Sequence, residues 1–410
     1  MTVLDPKVFT LSAPAISALV AMLIVLFDIL EEGGDQRRLK LKLALYFGAT
    51  VLTTSSAFIY FYFPELFLWL NGLYMFSFIS MPIFLYAFIF KITSTDKPER
   101  FSYLHYVAPT TLAIFLIIVS LFTPIEEQML TIKGNGAYNG GSRLFFYASN
   151  GKMLIRLVFS IVYIVLIFKR LPRYRKYIVH YSSNESKSSL QWVPIYLFFM
   201  LGTIPIPLLG QFVPRDILVT SGLAFLQVLL LIIQHSFLAF HAIKGHYVLY
   251  ENVQPEGSQA IPYKCSPSAD ENNAQANNIN TNYKDEKQDN QESVEKSPKV
   301  SVKKELLSRE LFECYIRTKR PYLNPELKII DLVNDLNINR TYISTFINAE
   351  YGLSFSGYIN QQRLKEYERL RSRPALQQKN NTEIAEMAGF GSYRNYMRCM
   401  KQAEIGTQFL

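Results

Sequence analysis

Two short runs near the end of the chain gather residue types that read nucleic acid. In the first, Arg340, Thr341, Ser344, Thr345 and Asn348 take the outward positions of a segment whose Ile343, Phe346 and Ile347 point inward. In the second, Tyr393, Arg394, Met397, Arg398 and Lys401 are outward, with Tyr396 and Met400 inward. A guanidinium can bond guanine through two parallel donors, a hydroxyl can bond several base edges, and an apolar side chain can touch a thymine methyl. Cations at the margins neutralise phosphate, which positions a protein without specifying sequence; Arg340 suits that role. No catalytic constellation and no nucleotide motif occurs. The three cysteines have no metal-ligating spacing, and His235, His241 and His246 are spaced so as to scatter around a helix. The reading is therefore of a non-enzyme that needs no cofactor or metal.

Each run requires a helix that presents one face. Leu327, Ile330, Leu332, Val333 and Leu336 mark an amphipathic helix, started by Asn324 with Pro325. Asn339 then caps a second helix over Arg340 to about Tyr351, which Gly352 stops. A short helix, a tight turn and a capped second helix make a helix-turn-helix, whose second helix enters the DNA major groove. The pattern repeats. Ile384 to Phe390 supplies another first helix and turn, and Ser392 another cap. A shift of 53 superposes Asn339 on Ser392, Ile343 on Tyr396 and Ile347 on Met400. A shift of 52 superposes Leu332 on Ile384 and Leu336 on Ala388, so the second turn is longer by one residue. Between the copies, Phe355 to about Arg371 reads as one helix that sets their spacing.

In these residues the chain resembles the AraC/XylS family of bacterial transcription regulators. The resemblance covers about residues 305–405. It rests on the Asn-Arg-Thr-Tyr-Ile-Ser run from Asn339, Gly352, Phe355, Tyr358-Ile359-Asn360 and Arg363-Leu364. In the second copy it rests on Ile384-Ala385, Ala388-Gly389-Phe390, Ser392, Arg398 and Lys401. It implies two units reading successive major grooves, with Thr341, Ser344, Thr345, Arg394, Met397 and Arg398 facing the bases. The chain departs from the family at its close: where that has glycine-x-threonine-proline and a tyrosine, here stand Ile405-Gly406-Thr407-Gln408.

What precedes this region is of another kind. Residues 1–250 carry 20 Lys/Arg and 12 Asp/Glu, 251–300 carry 5 and 9, and 301–410 carry 17 and 12, so three differently charged blocks share the overall +9. In the first block, apolar runs fall near 8–30, 43–63, 66–90, 103–123, 152–171, 190–213 and 217–241, each long enough for a helical span of about 20 residues. Thirteen Lys/Arg lie in the odd-numbered connections and five on the other side. The cation bias places the N-terminus outside and everything after residue 241 in the cytoplasm. That is the arrangement of a multi-span membrane protein, and the resemblance above implies that the membrane is a bacterial inner one.

The sixth span holds Gly202, Pro205, Pro207, Gly210 and Pro214 and should break. The third holds Asn71, Gly72 and Pro82 and should do likewise. Asn71, Pro205, Pro207 and Gln211 are the candidate ligand residues of a pocket there. The glycine-rich stretch 124–151 reads as a plain solvated loop, with a lid over that pocket as the alternative. Asp28 and Arg156, near span ends, are further candidates for a polar role. Residues 251–300 contain thirteen Asn/Gln and few large apolar residues. Such a segment cannot bury enough surface to order itself, and as a coil its ends lie roughly 40 Å apart.

The whole reads as an all-α protein: a seven-helix membrane domain at 1–245, a disordered tether at 246–300 and a double helix-turn-helix at 301–410. The function expected is a membrane-anchored regulator of transcription that senses a signal through its bundle. Its expected partners are double-stranded DNA, the lipid bilayer, a second copy of itself, and a small-molecule or membrane-borne signal. The alternative is a transporter or receptor whose cytoplasmic tail binds a protein; salt-dependent DNA binding by residues 301–410 discriminates the two.

Overall fold

In the computed structural model, residues 5–95, 99–184, 189–245, 247–249 and 307–407 are described. The chain divides between Val253 and Gln254 into two compact units. Both are helical, with no strand among the described residues. Apart from 247–249, the tether expected at 246–300 lies outside the described residues.

The first unit runs α1 (Pro6–Leu30), α2 (Gly34–Tyr62), α3 (Pro64–Ile92), α4 (Val107–Phe122), α5 (Ile125–Lys133), α6 (Arg143–Asn150), α7 (Lys152–Ile178), α8 (Trp192–Gly202), α9 (Pro205–Leu209), α10 (Arg215–Thr220) and α11 (Gly222–Ile243). Seven helical stretches are long and apolar enough to cross a membrane: α1, α2, α3, Tyr103–Phe122, Arg143–Ile178, Trp192–Leu209 and α11. At 1.5 Å per residue, about 20 residues span the roughly 30 Å hydrocarbon layer. Phe27, Trp69, Leu121, Phe122 and Phe198 stand exposed on the outside of the bundle. That is the surface of a protein solvated by lipid.

Helix α3 is the centre of the bundle, buried along most of its length. It runs unbroken through Gly72 and Pro82, against the expected kink. Gly72 serves close packing instead: a Cβ there would lie 2.4 Å from Ile117 Cγ1 of α4. The sixth span does break, between Gly202 and Pro205, and again after Leu209.

Three connections differ from the sequence reading. The first is only Glu31 to Gly33, because α2 begins nine residues before the apolar run. Lys40, expected in a loop, is buried on α2, with Nζ 2.6 Å from both Asp28 and Glu32. Lys169 to Lys176 likewise continue α7 past Pro172. These cations keep to the same end of the bundle, so the charge bias is unaltered. The connection at 124–151 is largely helical, as α5 and α6, where a plain glycine-rich loop was expected. Its Tyr60-facing side is tied down: Tyr60 Oη donates to the Ile132 carbonyl at 2.8 Å.

Beyond α11, the chain is still held by the bundle. Tyr247, Val248 and Leu249 are buried. Tyr247 Oη donates to Gln36 Oε1 at 3.2 Å, and Tyr174 Oη to the Val248 carbonyl at 3.4 Å. The docked segment therefore extends into what composition assigned to the tether.

The second unit comprises α12 (Arg309–Lys319), α13 (Ile329–Leu336), α14 (Arg340–Tyr351), α15 (Phe355–Arg371), α16 (Asn381–Met387) and α17 (Tyr393–Thr407). Two helix pairs, α13 with α14 and α16 with α17, flank the linking helix α15. The first helix starts at Ile329 and not at Asn324, because residues 324–327 form a turn in which Leu327 N donates to the Asn324 carbonyl at 3.2 Å. Asp331 Oδ2 then caps α13 by accepting from Lys328 N at 2.8 Å. Around the first pair, Phe312 packs its ring 5.4 Å from both Phe346 and Tyr358. The second pair closes on Tyr367, Leu370, Ile384, Ala385, Ala388, Phe390, Tyr396 and Cys399. Helix α15 thus gives its first half to one core and its second half to the other.

Candidate nucleic-acid interface and membrane cavity

The outward face of α14 follows from its cap and its apolar spacing. Asn339 Oδ1 accepts from Tyr342 N at 2.8 Å, which fixes where the helix begins. Ile343 and Ile347 are buried, and Gly352 closes the helix at φ +65°. Positions 341, 344, 345 and 348 must then share the opposite face. Thr341, Thr345 and Asn348 are exposed, while Ser344 is half-buried. Arg340 is half-buried at the edge, and that burial lowers its pKa from the ordinary arginine value.

On α17, Tyr396 and Cys399 are buried and Ser392 Oγ accepts from Asn395 N at 3.3 Å. Arg394, Met397 and Lys401 are exposed and Arg398 is half-buried, again at helical spacings of three and four. Tyr393 departs from the expected outward set. Its ring stacks on Tyr396 at 5.5 Å between centroids and packs against the second core. Met400 is partly buried as expected, its Sδ 3.1 Å from Tyr396 Oη. The two faces differ in chemistry: α14 offers mainly hydroxyls and an amide, α17 mainly cations.

The two helix pairs meet at a junction that hydrophobic periodicity did not reveal. Arg363, at the middle of α15, is 2% exposed. Its Nε donates to the Tyr322 carbonyl and its second terminal nitrogen to the Asn324 carbonyl, both at 2.7 Å. Burial lowers its pKa to about 10, so it stays charged at neutral pH. Against the same 321–324 turn sits Gly389, at φ +92°. A Cβ there would lie 2.3 Å from the Tyr322 carbonyl oxygen. The turn before the first pair is therefore gripped by the linking helix and by the turn inside the second pair. One turn further along α15, Glu366 is buried, hydrogen-bonded to Arg369, with Arg320 3.8 Å away. Arg369 holds its carboxyl below the usual carboxylate range.

In the first unit, a cavity of about 270 Å³ opens where α9 interrupts the sixth span. Among the four candidate ligand residues, Pro207 and Gln211 line it; Asn71 and Pro205 do not. Asn71 is buried elsewhere, 3.3 Å from Ser149 Oγ, and Pro205 is exposed on the outside of the bundle. Arg156 is a lining residue, as are Lys152 and Arg215. From the sequence, Arg156 was expected only near a span end, and Lys152 and Arg215 among the cations of the outside connections. Asp28, by contrast, is occupied by Lys40. The loop turn at Asn135 and Gly136 reaches the rim. The Asn135 carbonyl accepts from Arg215 N at 3.1 Å, and a Cβ on Gly136 would lie 2.8 Å from the Gly210 carbonyl oxygen. Deeper in the bundle the hydroxyls of Tyr46 and Tyr196 are 2.6 Å apart, and Gln234 donates to the latter at 3.1 Å. His241 stacks on Trp192, His235 lies 3.3 Å from Ser17 Oγ, and His246 falls outside the described residues. No group of three His, Cys, Asp or Glu among the described residues could hold a metal ion.

Compared with known proteins, this chain matches no family model, no curated protein and no solved structure. Its chemistry is argued from its own side chains: two donor-bearing helix faces braced by α15, and a cation-lined cavity between apolar helices.

Proposed function

We propose that the chain is a membrane-anchored, sequence-specific DNA-binding regulator of transcription. The observation that carries this is the pairing of two exposed helix faces, on α14 and α17, within one unit braced through α15. Each face follows a short helix and a tight turn, and each bears side chains suited to base edges. Read this way, the unit is a double helix-turn-helix of the AraC/XylS kind. Thr341, Ser344, Thr345, Arg394, Met397 and Arg398 meet bases, and Arg340 and Lys401 meet phosphate. Tyr393 supports the second helix from behind.

The experiment is a pair of substitutions in the full chain in lipid nanodiscs, titrated with selected and random duplexes. Arg398→Ala loses roughly 1–3 kcal/mol of discrimination between them, the worth of a bidentate arginine–guanine pair. Arg340→Ala weakens both duplexes about equally and flattens the dependence of binding on salt, because it removes one phosphate contact. Equal loss on both duplexes for Arg398→Ala would remove α17 as a reader.

The bundle gives this regulator its place and its input. The positive charge at one end of the bundle supports a reading unit in the cytoplasm and an N-terminus outside, and the resemblance to AraC/XylS regulators supports a bacterial inner membrane. Reporter fusions after Ser94, Lys187 and Gln254 report cytoplasm, and fusions after Pro64, Gly140 and Pro214 report the outside. A cytoplasmic signal at Gly140 would remove the seven-span topology. One span is enough to hold a protein in a membrane. Seven spans around a cavity suit a sensor, in which a signal acts by its different affinity for two bundle states. Pairing of two chains would then raise the local concentration of the second reader on DNA.

A further inference from the structure

The cavity's polar wall is made of hydrogen-bond donors. Lys152 and Arg156, one turn apart on α7, and Arg215, at the start of α10, all line it, and no carboxylate does. None of the three has an acidic partner among the described residues. They rest instead on aromatic faces: Lys152 Nζ is 5.1 Å from the Phe67 ring centre, Arg156 is 4.3 Å from that of Phe78, and Arg215 is 5.0 Å from that of Tyr60. Such contacts soften the loss of water around a cation but do not replace a counter-charge. Two further lining donors lack a partner. Asn150, 7% exposed, accepts from Arg215 at Oδ1 and leaves Nδ2 without a partner. Thr53, 9% exposed, leaves its Oγ1 without a partner. Buried donors rarely go unpaired, and an ionisable cluster among membrane helices marks a functional site by default.

The rest of the lining is mostly apolar, including Pro14, Phe78 and Met81, with neutral polar residues such as Gln211 and Gln227 among it. A water's share of liquid is about 30 Å³, so the space suits a molecule of roughly ten non-hydrogen atoms.

We infer that this cavity binds an amphiphilic anion. Its carboxylate or phosphate sits against Lys152, Arg156 and Arg215, with donation from Asn150 and Thr53, and its short alkyl body lies between α1, α2 and α3. Two sources share this chemistry, a free alkyl anion and the headgroup of an anionic lipid. The inference names the class of signal for the sensing bundle proposed above, and rests on that reading only for its effect on transcription.

The test uses the full chain in phosphatidylcholine nanodiscs, with radiolabelled octanoate as the probe. Octanoate binds saturably at one site per chain. Octanol, of the same length without the charge, and octylammonium, of opposite charge, bind at least tenfold more weakly. Lys152→Gln and Arg156→Gln each weaken octanoate about tenfold and together about a hundredfold, since each removes a charge-assisted bond. Arg156→Lys restores most of the affinity, and Pro205→Ala, outside the cavity, leaves it unchanged; both guard against a merely misfolded variant. Nanodiscs containing phosphatidylglycerol separate the two sources. Weaker octanoate binding there, in the wild type alone, identifies the headgroup as occupant; unchanged binding identifies the free anion. Octanoate that fails to saturate, or that binds the doubly neutralised chain or loses to octanol, overturns the inference. If octanoate binds as stated but a reporter promoter ignores it, the site stands and the sensing role falls.

Discussion

Arg363→Ala lowers the stability of the second unit by about 3–5 kcal/mol, from the lost charge-assisted bonds to the Tyr322 and Asn324 carbonyls, the first of which keeps no other donor among the described residues, and from a cavity at the centre of α15. The loss is large because Arg363 bridges parts of the chain that nothing else joins in the same way. Its guanidinium leaves α15 and ends on the carbonyls of Tyr322 and Asn324, 2.7 Å from each. Alanine removes both bonds, and only the Asn324 oxygen keeps a donor, Leu327 N at 3.2 Å. A domain of this size has only about 5–15 kcal/mol in total, so much of the population unfolds. Lysine in the same place keeps the charge but lacks the planar fork that serves two carbonyls at once, and falls between the two. Urea unfolding of residues 301–410, followed by circular dichroism, measures this. A midpoint equal to that of the wild type would show that the bridge contributes nothing.

Gly389→Ala acts on the same junction, at the same Tyr322 carbonyl. At φ +92° any side chain strains the backbone, at about 1–3 kcal/mol. The new Cβ would also meet the Tyr322 oxygen at 2.3 Å and Leu323 Cα at 2.8 Å, both backbone atoms that cannot swing away. Relieving that overlap adds about 1–3 kcal/mol. Gly352→Ala is the internal control. Its φ of +65° carries a similar backbone strain, but a Cβ there meets nothing within 4 Å. Gly389→Ala should therefore cost about 1–3 kcal/mol more than Gly352→Ala in the same unfolding experiment. Equal costs would mean that the 321–324 turn moves aside freely and does not brace the two helix pairs.

Where cap chemistry and apolar spacing agreed, the elements were legible in the sequence. The limits of α14 and α15 follow from Asn339, Gly352 and the run of Phe355, Tyr358 and Ile359. Polar residues at core positions were not. Arg363 lies four residues after Ile359 and four before Tyr367, in the buried stripe, yet a count of apolar residues passes over it. Glu366 is hidden for the same reason. Charge misled at the edges of the membrane helices: Lys40 and Arg170 read as loop residues, because a buried ion pair leaves no sign in a hydropathy pattern. The cavity was half legible. Proline and glycine announced the broken sixth span, and with it Pro207 and Gln211. The cations opposite could be placed only by folding α7 against α9 and α10, since Arg215 is far in sequence from Lys152 and Arg156. Tyr393, taken as outward, turns in because a neighbouring aromatic, Tyr396, offers it a stacking partner.

The central claim is that α14 and α17 read DNA together, and its most direct test is selection from a pool of random duplexes by the full chain in nanodiscs. Two reading helices in successive major grooves imply half-sites about 10–10.5 base pairs apart, centre to centre. The enriched sequences should therefore carry two short elements at that spacing. Arg394→Ala with Arg398→Ala should erase one element and leave the other. A pool that stays random through successive rounds, or one that the doubly substituted chain enriches identically, would contradict the account.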